Sequence, residues 1–131
     1  MNYNNFRKEY LKQSVMTASP AELIVMLFES CIKNLKLAEI CLNERRGIEK
    51  TNEHFQKAQK IIMELINCLD TSFEISNSIL EIYEFLLHSI REMNIKKDLS
   101  QLPDVLEILS SLRDTWEQIA RPNYNCSTKV C

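Results

Sequence analysis

Apolar side chains recur at steps of three and four along four separate stretches of the chain, the spacing of amphipathic helices rather than strands. The first stretch opens on Ser19-Pro20-Ala21-Glu22. Ser19 can accept the free amide of Glu22, Glu22 can reach back, and Pro20 stands where no donor is needed. This helix is expected to run to about Glu44, with Arg45 and Arg46 at its carbonyl end and Gly47 as the left-handed cap. The second, from about Ile48 to Leu69, carries Ile48, Phe55, Ala58, Ile62, Leu65, Ile66 and Leu69 opposite a charged face. The third carries Ile75, Ile79, Ile82, Tyr83, Leu86, Ile90 and Met93 and frays near Asn94. Asp98 or Ser100 starts the fourth, with Pro103 in its first turn and a stripe of Val105, Leu109, Leu112 and Trp116. Short connections force neighbours to be antiparallel. The expected fold is therefore all-α, an up-down-up-down four-helix bundle over residues 19–121. Residues 1–18 read as a polar N-terminal arm and residues 122–131 as a disordered tail.

One helix carries more apolar surface than a single interior needs. On a wheel of about 100° per residue, Leu23, Ile24, Leu27, Cys31, Leu35, Ala38 and Leu42 fill one face of the first helix, and Val25, Phe28 and Ile32 fall on another side. A helix that is apolar on two sides must be covered on two sides. Ile61 and Cys68 on the second helix and Leu80 and Leu87 on the third lie beside their own stripes, with Phe85 on the other flank of the third. An arm or neighbouring helix could cover these positions permanently. They could equally receive an amphipathic partner.

Composition narrows the function without naming it. The 131 residues contain one glycine and three prolines, too few breakers for an all-β fold and too few glycines for a phosphate-binding loop. A net charge of −2 advertises no basic face for nucleic acid. The longest apolar run, Leu23–Phe28, is far shorter than the roughly 20 residues of a membrane span. The N-terminus lacks the basic start and apolar stretch of a signal peptide, which points to the cytoplasm.

Candidate chemistry is sparse. The five cysteines are odd in number and lack C-x-x-C or zinc-site spacing. Cys31, Cys41 and Cys68 read as small packing residues, while Cys126 and Cys131 lie in the tail. Neither His54 nor His88 has a glutamate three residues before it, so the motif of carboxylate-bridged metal bundles fails at both. Cys31 falls on the expected core face, where burial would blunt a thiol. The sequence nominates no catalytic set, no cofactor and no metal site, and an enzyme is not expected.

The stretch Tyr10-Leu11-Lys12-Gln13-Ser14-Val15-Met16-Thr17-Ala18-Ser19-Pro20, with Ala21-Glu22-Leu23-Ile24-Val25-Met26-Leu27-Phe28 behind it, resembles the FliS family of flagellar secretion chaperones. So do Lys57-Ala58-Gln59-Lys60-Ile61-Ile62-Met63-Glu64-Leu65, Ile82-Tyr83-Glu84-Phe85, Asn94-Ile95-Lys96-Lys97-Asp98 and Leu112-Arg113-Asp114-Thr115-Trp116. The resemblance runs in order from about Tyr10 to Ala120. Phe28 and Phe85 stand where tyrosine is commoner in the family, and Thr71-Ser72-Phe73-Glu74 lacks a glycine pair that many members have. The resemblance implies an antiparallel helical bundle and a cytoplasmic chaperone that holds the C-terminal segment of flagellin against premature polymerisation. The flagellar export gate is a further implied partner. The client-binding residues expected on this reading are Val25, Phe28, Ile32, Ile61, Leu80 and Leu87, with Tyr10 and Val15 as a displaceable cover. A different class of function, a helical adaptor that self-associates through its extra apolar face, stands as the alternative, and the oligomeric state is open.

Overall fold

The computed structural model describes residues 20–121. They form four helices, α1 (Pro20–Asn43), α2 (Ile48–Asn67), α3 (Ile75–Lys96) and α4 (Leu102–Ala120), with no strand among the described residues. This is the all-α bundle that the periodicity predicts, with most helix ends within two or three residues of expectation. Ser19, Tyr10 and Val15 lie outside the described residues, as does the tail.

The four helices do not pack equally. α1 lies along both α2 and α4, and α2 also carries α3, whereas α3 and α4 approach one another at only a few points. The ring of helices is thus closed on three sides and nearly open on the fourth. One core fills the centre, built from Phe28, Cys31, Leu35 and Ala38 of α1, Phe55, Ala58, Ile62 and Leu65 of α2, Tyr83, Leu86, Ile90 and Met93 of α3, and Leu102, Val105 and Leu109 of α4. Two of its largest side chains form a tilted aromatic pair, Phe28 on Tyr83, with ring centroids 6.2 Å apart, a geometry worth about 0.5–1.5 kcal/mol beyond the area it buries.

Polar ties reinforce the closed sides. The His54 ring nitrogen Nδ1 lies 3.1 Å from Asn34 Oδ1 and links α2 to α1. The Cys31 thiol points at the Ala58 carbonyl across the same interface. Lys97, just past α3, donates from Nζ to Asn52 Oδ1 of α2 at 2.6 Å and to Asn94 Oδ1 at 2.7 Å.

The turn after α1 corrects the expected cap. Arg45, not Gly47, takes the left-handed conformation, with φ 54°. Arg46 N–H donates to the Cys41 carbonyl and Arg45 N–H to the Leu42 carbonyl, the paired bonds of a Schellman ending. Gly47 has a different task. It precedes α2 with φ 106° and ψ 146°, a region that side chains exclude. The next helix starts at once, so the turn needs two unusual residues, and one glycine serves only one of them. Lys97 repeats the device at the end of α3, with φ 53°. Cys68 is also corrected: it caps α2 where the chain leaves the bundle, and it is exposed rather than packed.

Since a non-glycine residue in this conformation costs about 1 kcal/mol, Arg45→Gly is expected to raise stability by about 0.5–1 kcal/mol. Urea unfolding checks this, read as a higher midpoint at unchanged slope. Gly47→Ala is expected to lower the midpoint through its backbone alone, because an added Cβ would meet nothing within 4 Å.

Candidate functional site

The nearly open side of the bundle holds the most distinctive surface. On α3, Ile82 and Phe85 are 38% and 54% exposed. With Ser78 and Glu81 of the same helix and Ile108 of α4 they line a cleft of about 390 Å³. Helical spacing explains the assembly. Ser78, Ile82 and Phe85 follow one another at steps of four and three and share a flank of α3. That flank borders the core stripe of Tyr83, Leu86 and Ile90 on the side of α4. Ile108 sits one residue before the core residue Leu109, on the edge of α4 turned to α3. The strip continues toward the ends of both helices, where Ile75 and Ile119 are 68% and 52% exposed.

A second cleft, of about 400 Å³, lies on the other side of α4, against α1. Ile32 and Leu37 give it an apolar floor, and Glu29, Lys33, Lys36 and Arg113 surround it. The Arg113 guanidinium is paired with Asp114 at 3.1 Å.

The residues expected to bind a client divide accordingly. Phe28 has no exposed surface, and Ile32 and Ile61 keep 7% and 6%. All three belong to the core. Val25 is buried as well. The face assignment on α1 is therefore corrected. Its core runs through Val25, Phe28, Cys31, Ile32, Leu35, Ala38 and Cys41, while Leu23, Ile24 and Leu27 are half-buried. The two apolar sides inferred from the wheel are real, and α2 and α4 cover them. Leu80 and Leu87 are half-buried, Leu87 against the core. They lie five and two residues from Phe85, which places them on the flank of α3 away from the α4 cleft. Of the six described residues expected to bind, Ile32 lines the α1–α4 cleft and none lines the α3–α4 cleft.

Sequence reasoning missed Ile82 and Ile108 and left Phe85 unused. Ile82 fits the core stripe by spacing, and nothing in the spacing reveals that α4 stands off from α3. The available signal was Phe85, an aromatic residue out of phase with its own stripe.

Among the described residues the titratable groups supply no reactive centre. Burial pushes the Cys31 thiol up to about 12. Burial, with the nearby Cys68 as a smaller cause, pushes the Tyr83 hydroxyl up to about 12. Partial desolvation and then Lys57 lower the affinity of His54 for its proton, so the ring serves as a neutral partner for Asn34. Among the described residues no cluster of histidine, cysteine, aspartate and glutamate could hold a metal ion, and no helix is long and apolar enough to cross a membrane.

Comparison with known proteins supplies the context. The family model for the flagellar protein FliS matches residues 2–123. The chain is 37% identical over 109 residues to the flagellar secretion chaperone FliS of Bacillus subtilis (strain 168), across 83% of this chain and 81% of that protein. It is 28% identical over 122 residues to the protein of the same name from Vibrio cholerae serotype O1, across 92% and 88%. For that of Salmonella typhimurium (strain LT2) the figures are 27% over 113 residues, 84% and 83%.

The division between interior and cleft is open to measurement. Phe28→Ala is expected to cost about 3–5 kcal/mol of folding stability, the range for emptying a buried aromatic site. Phe85→Ala is expected to cost less than about 1 kcal/mol, because its ring already meets solvent. Chemical denaturation of the two variants side by side checks both figures.

Proposed function

Because the chain belongs to the FliS family of flagellar secretion chaperones, a non-enzymatic family, we propose that it is a cytoplasmic export chaperone whose client is the C-terminal segment of flagellin. The observation that carries this reading is the α3–α4 cleft, where Ile82, Phe85 and Ile108 present apolar surface that the bundle leaves unburied.

The physics of such a client agrees. A disordered segment meets its ordering cost, about 2–5 kcal/mol or more, when it binds. It therefore needs a long apolar surface, and each large side chain it covers contributes about 1.5–3 kcal/mol. The cleft and its continuation toward Ile75 and Ile119 offer that surface. In this reading Ile82, Phe85 and Ile108 touch the client directly. Phe28, Ile61 and Val25, buried in the bundle, hold the helices in place, and Leu80 and Leu87 lie on the far flank of α3, away from this surface. Tyr10 and Val15 of residues 1–18 compete for the same apolar surface when the client is absent. Covering the client keeps it from pairing with other flagellin subunits, and the complex is then handed to the flagellar export gate.

A peptide spanning the C-terminal segment of flagellin, titrated into the full chain by calorimetry, tests the reading. It should bind one to one, with a negative heat-capacity change from apolar burial. Phe85→Ala should weaken it about tenfold or more while leaving helix content unchanged. Deleting residues 1–18 should tighten it. A chain that sediments as a stable homodimer and ignores the peptide would instead be a self-associating adaptor.

A further inference from the structure

The cleft between α1 and α4 differs in sign from the one just assigned. Lys33 and Lys36 of α1 and Arg113 of α4 stand around Ile32 and Leu37, with Glu29 as the single carboxylate. The α3–α4 cleft has Ser78 and Glu81 as its polar lining. This concentration of cations runs against a chain whose net charge is −2. Neither lysine is ion-paired among the described residues. Glu29 stands four residues before Lys33, the spacing of a helical ion pair, yet the two do not pair. We propose that the α1–α4 cleft is a second binding site, built to dock an acidic amphipathic segment of a partner protein with its apolar side chains on Ile32 and Leu37 and its carboxylates toward Lys33 and Lys36, Arg113 being already paired with Asp114.

Charge selects this occupant over the others at hand. Residues 1–18 of the chain contain Arg7, Lys8 and Lys12 against Glu9, so they carry the same sign as the rim and are repelled by it. A polyanion without apolar groups would leave Ile32 and Leu37 uncovered. A second copy could offer Ile82 and Phe85 beside Glu81 and Glu84, but that contact joins unlike faces, so it would build rings or open chains rather than a two-fold dimer. An acidic amphipathic helix satisfies floor and rim together. The site is separate from the α3–α4 cleft, and its test does not depend on flagellin.

Two synthetic helical peptides with one shared leucine-rich face serve as probes, one with glutamate on the polar face and the other with lysine. Each is titrated into the full chain by fluorescence anisotropy, with chemical shifts followed at Ile32, Leu37 and Phe85. The glutamate peptide is expected to bind about tenfold more tightly than the lysine peptide. Added salt should weaken it, and shifts should concentrate at Ile32 and Leu37. The double variant Lys33→Glu, Lys36→Glu should abolish or invert the preference. Lys33→Gln with Lys36→Gln should give an intermediate loss. The proposal is overturned if the glutamate peptide does not bind, if the two peptides bind equally, if the charge-reversed chain keeps its affinity, or if the shifts gather at Phe85. Concentration-dependent self-association of the chain that Lys33→Glu disperses would give the cleft to a second copy and likewise overturn it.

Discussion

A ring of four helices can close only if each helix finds two neighbours at packing distance, and here α1 takes most of the available closure for itself. Its apolar residues face two ways, and α2 and α4 settle against them. Side chains of 8–10 Å helix pairs interlock or they do not. With α4 seated along α1, it meets α3 at only a few points. The open side of the bundle is therefore a consequence of where the core is densest. Ile82 and Phe85 are exposed because the helix that would cover them in a symmetric bundle is committed elsewhere.

The polar contacts follow the same asymmetry. Asn34 with His54, and Lys97 with Asn52, tie α2 to its neighbours on both sides. Among the described residues, the side-chain bonds of α4, Arg113 to Asp114 and Thr115 to Ser111, stay within that helix. A helix held chiefly by apolar packing can shift at lower cost than one also held by directional bonds, because no buried donor is orphaned by the movement. The clefts on either side of α4 thus flank the element of the bundle with the fewest directional restraints. A binding surface placed there can adapt to an incoming segment without loosening the α1–α2–α3 frame.

The number, order and ends of the helices were legible because they depend on local pattern: three-and-four spacing, Pro20, Pro103 and the break at Asp70-Thr71-Ser72. The phase of α1 was not. Leu23 to Phe28 are six consecutive apolar residues, and such a run fits any rotation of a helical wheel equally well. Only a partner fixes the phase, and for Phe28 that partner is Tyr83, on a helix two elements away. The same holds for Ile82, which spacing alone assigns to the interior. Whether a stripe residue is covered depends on the distance between α3 and α4, and no local signal encodes that distance. At the α1–α2 turn, glycine chemistry was read correctly, but at the wrong residue. A sequence shows which residue tolerates positive φ, and the geometry of the turn decides how many are required.

The two phenylalanines Phe28 and Phe85 have separate physical meanings. Phe28 lies against Tyr83 with no exposed surface. A hydroxyl there would need a buried partner or leave an unmade hydrogen bond, so the hydrocarbon ring is the less demanding choice. Phe85 is half in solvent, where a hydroxyl would carry little penalty. Its absence removes a directional contact from the cleft and leaves an apolar one. On the proposed reading, recognition at the α3–α4 cleft rests on burial and shape, which tolerate variation in the sequence of an incoming segment. The rim of the α1–α4 cleft, where three cations surround Ile32 and Leu37, is where charge can discriminate. On the two proposals made above, the sides of α4 divide the labour of binding, one by surface area and the other by sign.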